Sequence, residues 1–138
     1  MHKLTDKYFK GIPLNDDDRW PWLSLIRDKC RSLANEFRTD KNRHCSYLVI
    51  TCSALKKSYR DFLRQTAGVD RVVFIYAKGS FDMIFSRISQ RQNHFMKPDM
   101  LNSQFITLES PEEEKDVVSV DISQHIDIII EQIMDFLQ

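Results

Sequence analysis

Two runs of β-branched and aromatic residues constrain this chain more than anything else in it. The first is SYLVIT at Ser46–Thr51 and the second is RVVFIYA at Arg71–Ala77. Neither alternates polar with apolar residues, so each reads as a strand buried on both faces, as in a parallel sheet. Between them, CSALKKSYRDFLRQ places Leu55, Tyr59, Phe62 and Leu63 on one helical face, with Ser53 as its N-cap. Strand, helix and strand at this spacing predict a βαβ unit, which closes right-handed.

The flanking sequence continues the pattern. Leu23, Ile26, Cys30, Leu33 and Phe37 recur at helical spacing. Ahead of them stands GIPLNDDDRWPWL, whose Asn15–Asp18 can cap free amides and complement a helix dipole. Pro21 fits best near a first turn. The expectation is a short capped turn over Asp16–Arg19, then the main helix from Trp20. Further on, SFDMIFSRISQRQ predicts a helix capped by Ser80, with Phe81, Ile84, Phe85 and Ile88 inward. HFMKP breaks it, PDMLNSQFITL forms a short helix and VVSVDI (Val117–Ile122) a third strand. HIDIIIEQIMDFL closes the chain with Ile126, Ile129, Ile130, Ile133 and Leu137 on one face. The class is α/β, a parallel sheet with helices on both sides.

At 138 residues the chain suits one domain, 1–138, with a core that needs no staples. Its net charge is zero, which removes the electrostatic ground for nucleic acid or an anionic membrane as partner. No apolar run approaches bilayer length, and MHKLTDKYFK lacks the apolar stretch of a secretory signal. Three cysteines, Cys30, Cys45 and Cys52, form no C-x-x-C pair. Their number and spacing argue against a zinc site or a disulfide framework and fit a reducing cytoplasm.

Ligands of α/β sheets bind at the carboxyl ends of strands. TCSALKK sits at such an end. Its helix N-terminus suits an anion or sugar hydroxyls, with Lys56 and Lys57 adding charge, or else it is an ordinary cap with solvated lysines. Arg87 and Arg91, four apart, share one helix face beside HFMKP. They read as a clamp for phosphates or as a solvated charged face. His94, alone beside Phe95, reads as a packing residue rather than a metal ligand. Arg19 either pairs locally with Asp16 and Asp18 or offers its fork to a substrate carboxylate.

Three longer strings go beyond periodicity. GIPLNDDDRWPWL, CSALKKSYRDFLR and RISQRQNHFMKPDMLNSQFITLESP, in this order, resemble the gluconokinase family. The resemblance runs from about Lys7 to the C-terminus. It implies ATP-dependent phosphorylation of D-gluconate to 6-phosphogluconate, with Mg²⁺, on a P-loop kinase fold with a five-stranded parallel sheet and a lid at about 87–106. By position it implies that Arg19 holds the gluconate carboxylate or hydroxyls. Cys52, Ser53, Ala54, Leu55 and Lys56 would line the sugar pocket, with Lys56 and Arg60 as polar contacts. Arg87 and Arg91 would meet the ATP phosphates, His94 and Gln104 would shape the closed site, and the loop after Val120 would lie near the adenine.

One part of the family pattern is missing. No G-x-x-x-x-G-K-[ST] occurs, and the three glycines are Gly11, Gly68 and Gly79. That motif supplies the phosphate cradle, a lysine and a Mg²⁺-binding hydroxyl. The resemblance therefore implies a three-layer kinase fold without its first two strands, the central P-loop strand among them. In the family's order, 2-3-1-4-5, the segments at 47–51, 72–76 and 117–120 correspond to strands three, four and five. Strands three and four are then expected to face each other across a central gap, each edge without its ladder partner, or to close up on one another. Two functional readings follow. Either the chain is an incomplete form of a gluconate kinase, or it is a catalytically inactive truncated homologue that binds a sugar acid or pairs with an intact homologous subunit.

Overall fold

Asn15 and Asp18 cap each other. In the computed structural model, which describes residues 7, 12–39, 47–91 and 100–138, the Asp18 amide donates to Asn15 Oδ1 and the Asn15 amide to Asp18 Oδ2, both at 3.0 Å. This reciprocal pair satisfies two donors that a helix start would leave open. Helix α1 (Asp16–Thr39) therefore begins at Asp16 and runs through Pro21 without a break. The expected separate turn before Trp20 does not form. The Arg19 amide already bonds the Asn15 carbonyl at 3.2 Å, so the first turn is helical. Pro21 therefore lies inside the helix, in its second turn, where it removes the amide that would bond the Asp17 carbonyl rather than one of the free first-turn donors.

Residues Leu14–Val72 form one compact unit and Val73–Gln138 lie in a second. In the first, α1 packs on α2 (Lys57–Arg64). Leu23, Leu55, Tyr59 and Leu63 are buried, and Ile26, Cys30, Leu33 and Phe37 are half-buried, as the helical spacing predicts. The start of α2 differs from expectation. Lys56, not Ser53, is the N-cap residue, and its side chain makes no cap bond. Ala54 adopts φ 38°, a left-handed conformation that a residue with a Cβ rarely takes. The chain turns there, and helical geometry begins only beyond Lys56. After α2, Gly68 takes φ +82°, and a Cβ there would stand 3.3 Å from Asn35 Oδ1. Glycine is the residue that tolerates this turn.

The first expected strand is corrected. Residues 47–51 form no strand, and Tyr47, Leu48, Val49 and Ile50 are exposed, Val49 at 81%. Composition favours an extended backbone, but a strand exists only through a ladder, and among the described residues this segment has none. The βαβ unit read across 46–77 is thus not formed among them.

The second unit supplies the sheet. Strands β1 (Phe74–Lys78) and β2 (Val117–Asp121) pair in parallel, from Phe74 opposite Val117 to Lys78 opposite Asp121. This is the pairing expected of strands four and five. Ser80 caps α3 (Phe81–Ser89) by accepting from the Met83 amide at 3.3 Å. Phe81 stacks on Phe85 at 5.9 Å and meets Phe105 edge-on at 5.3 Å. Phe105 lies on α4 (Met100–Thr107), whose Met100 and Leu101 are buried, as is Val120 of β2. The inward faces are only partly covered. Phe81 and Phe85 stay more than a third exposed, and on α5 (Ile126–Leu137) Ile126 and Ile130 are exposed while Ile129, Ile133 and Leu137 are half-buried. HFMKP, with His94, lies outside the described residues.

Candidate active site

In the first unit, the acidic start of α1 meets the start of α2. Lys56 Nζ donates to both oxygens of Asp16 at 2.8 Å, and the Tyr59 hydroxyl donates to Asp16 Oδ1 at 2.5 Å. The Arg19 guanidinium carbon lies 5.9 Å from the centre of the Tyr59 ring and Lys56 Nζ lies 5.7 Å from it. Behind this group, Trp20 packs edge-on against Tyr59 at 5.2 Å and Phe62 at 5.6 Å. Arg27 covers Phe62 at 3.9 Å. One carboxylate is therefore held among an ammonium, a phenol and a nearby guanidinium, on an aromatic floor.

The charges respond as this geometry requires. The Lys56 hydrogen bond, followed by the Tyr59 one, pulls the Asp16 carboxyl below its ordinary 3.8. Asp16 in turn raises the Lys56 ammonium above its ordinary 10.5. Burial first, and then the bond to Asp16, raises the Tyr59 phenol, so it stays a donor at neutral pH. Cys30 and Cys52 are half-buried, and burial raises both thiols, which makes them poor nucleophiles.

The structure brings Arg19 and Lys56 together but changes what they do locally. Asp16 pairs with Lys56, so the short-range ion pair between Asp16 and Arg19 is not the arrangement found. Ser53 is exposed at the turn before α2. Arg60 is 2% exposed, and its Nη1 donates to the Ala54 carbonyl at 2.8 Å and the Leu55 carbonyl at 3.1 Å. It holds the left-handed turn from inside. Tyr59 carries a role that helical spacing does not reveal, since its position marks it only as core. The available signal was its hydroxyl, because a buried tyrosine needs a polar partner.

In the second unit, Arg87 Nη2 donates to the Ile122 carbonyl at 2.9 Å. Arg91 is exposed just beyond α3, and Gln104 is half-buried on α4. Among the described residues no three His, Cys, Asp or Glu side chains converge as a metal site. None of the helices in the described residues is long and apolar enough to cross a membrane.

Comparison with known proteins decides the family. A thermoresistant gluconokinase of Escherichia coli is 42% identical over 134 residues, covering 96% of this chain and 71% of the relative. The chain belongs to the gluconokinase family. A probable gluconokinase of Dictyostelium discoideum is 39% identical, over 96% of this chain and 66% of its own length. The chain thus spans about two thirds of the curated relatives it matches. A scan against protein-family models finds no match. Among crystal structures, a gluconokinase from Sinorhizobium meliloti superposes with a TM-score of 0.76 at 36% identity, covering 98% of this chain and 70% of that one. A sugar kinase from Janibacter superposes at 0.84 with 34% identity, covering 99% and 73%. The fold is that of an α/β kinase, and the two-stranded parallel sheet is part of it.

Proposed function

We propose that this chain carries the sugar-acid side of an ATP-dependent kinase that phosphorylates D-gluconate, in the cytoplasm. The observation that supports this most is the Asp16 carboxylate bonded by Lys56 and Tyr59, with Arg19 over the Tyr59 ring beside them, in a member of the gluconokinase family. A sugar acid presents one carboxylate and several hydroxyls. Arg19 grips the carboxylate in this reading, since a guanidinium suits bidentate contact. Ser53 and Lys56 meet the hydroxyls, and Arg60 supports the turn that presents them. In the second unit, Arg91 takes the phosphate role of the lid arginines, and the family resemblance gives Gln104 and His94 a part in shaping the closed site of a lid at about 87–106.

ATP and Mg²⁺ are the co-substrate and metal implied by the family. The described residues offer no cluster of protein ligands for the metal, so no step is assigned to it. A second reading has its own support. The 138 residues contain no G-x-x-x-x-G-K-[ST] cradle, and phosphoryl transfer depends on positioning and charge stabilisation at that cradle. In this reading the chain binds a sugar acid, alone or beside an intact homologous subunit, without turnover.

Two measurements test these readings, the first their shared sugar-acid site and the second turnover. Calorimetric titration should detect D-gluconate binding, with weaker binding of D-glucitol, which lacks the carboxylate, and loss of binding in Arg19→Ala. Equal affinities for the two sugars, or an unaffected Arg19→Ala, would overturn the carboxylate assignment. A coupled ADP-release assay should show no gluconate-dependent turnover by the chain alone. Ordinary kinase rates there would overturn the second reading.

A further inference from the structure

Ile122 is fixed from three directions. Its amide donates to the Lys78 carbonyl at 2.9 Å, which extends the β1–β2 ladder by one step. Its side chain lies against Gly79, where an added Cβ would stand only 2.9 Å from Ile122 Cγ1 and Cδ1 and 2.7 Å from Met83 Cε. A side chain at Gly79 would require Met83 and Ile122 to shift. Its carbonyl accepts the bond from Arg87, thirty-five positions earlier on α3. Directly beyond, Asp121 Oδ1 accepts from the Ser123 amide at 2.8 Å and the Asp121 carbonyl from the Gln124 amide at 3.1 Å. The chain then enters α5 through its N-cap, His125. The turn from Ile122 to His125 thus rests on the two strands, on Arg87 reaching its backbone from α3, and on Gln132 of α5, whose Nε2 donates to Gln124 Oε1 at 3.2 Å.

Arg87 and Arg91 look equivalent in sequence, four residues apart and both exposed. Their surroundings differ. Arg87 is committed to a backbone carbonyl of its own unit, whereas Arg91 makes no side-chain hydrogen bond or ion pair among the described residues. We propose that Arg87 is a positioning residue that holds the turn between β2 and α5, which leaves Arg91 as the member of the pair that can face a ligand. The geometry of the turn carries this by itself. The kinase reading is needed only for the consequence that a turn at the carboxyl end of parallel strands borders a ligand site.

Amide hydrogen exchange on the whole chain tests it without any ligand. In Arg87→Ala the Ser123 and Gln124 amides should exchange about tenfold faster, the protection that one charge-assisted hydrogen bond confers. Amides of β1 and of the later turns of α5 should keep their parental rates. Arg87→Lys, which retains a charged donor, should recover part of the protection, and Arg91→Ala should match the parent. Unchanged rates in Arg87→Ala, an equal effect from Arg91→Ala, or an acceleration spread evenly over Val73–Gln138 would each overturn the proposal. Because no gluconate or nucleotide enters the measurement, its failure leaves the kinase reading standing. A failure to bind gluconate likewise leaves this result intact.

Discussion

Replacing Arg60 with methionine should destabilise the first unit by about 3 kcal/mol. The Arg60 side chain is almost fully buried, and its Nη1 serves two carbonyls, those of Ala54 and Leu55. Methionine keeps much of the stem's packing but donates to neither. A hydrogen bond from a charged donor contributes about 1.5–3 kcal/mol, and a carbonyl left buried without a partner costs about 1–3 kcal/mol. The two carbonyls share one nitrogen, so the sum is held near the lower end. Against a total stability of about 5–15 kcal/mol, that loss is large. Tryptophan fluorescence in a urea titration is the natural assay, because Trp20 packs on Tyr59 and Phe62 and so reports on this unit. With a slope of about 1.5 kcal/mol per molar, the midpoint should fall by roughly 2 M. A midpoint unmoved in Arg60→Met, together with lost D-gluconate affinity, would show that Arg60 serves the sugar and not the turn.

Three further outcomes are expected. The Asp16 tether to α2 is fully present above pH 3.8 and is lost as pH falls further, because the folded-state carboxyl titrates below its ordinary value; Asp16→Asn should remove this acid-sensitive part of the tryptophan signal, and an identical acid limb in both proteins would refute it. Ala54→Gly should stabilise the first unit by about 1 kcal/mol by relieving the left-handed φ of 38°, seen as a raised urea midpoint, whereas a lowered midpoint would mean the turn depends on the alanine methyl. The exposed run Tyr47–Ile50 should make the isolated chain marginal and prone to aggregate, and Val49→Lys should reduce light scattering on warming; a sharp, reversible transition of the parent well above about 50 °C would contradict this.

Several features that depend on neighbours along the chain were legible in the sequence, although the expected Ser53 cap and the separate turn before Trp20 are not the arrangement found. The Asn15–Asp18 cap, the Ser80 cap and the α1 stripe from Leu23 to Phe37 all follow from local spacing. Features that depend on a distant partner were not. Residues 47–51 have the composition of a strand, but a ladder needs a second backbone that composition cannot supply. The bond between Lys56 and Asp16 joins residues forty positions apart, so the sequence left Lys56 with a solvated or a sugar-facing role and Asp16 with Arg19. Arg60 and Arg87 were legible as cations of the family strings, but the carbonyls they reach, at Ala54–Leu55 and at Ile122, belong to turns that helical spacing does not describe. Family resemblance proposes Arg19, Arg60, Arg87 and Arg91 as site residues, and the structure shows Arg60 and Arg87 bonded to backbone carbonyls.

The parallel pairing of β1 with β2 also bears on how the chain acquires its shape. Each bonded pair joins residues about forty positions apart, with α3 and α4 between them. On a growing polypeptide β1 leaves the ribosome long before its neighbour is made, and until then its amides and carbonyls have only water or a wrong edge to bond. Helices α3 and α4 need nothing that distant and can form in the interval. The sheet is thus the late, slow event of the second unit, and the stretch of synthesis between Lys78 and Val117 is the window in which a chaperone would have most to protect.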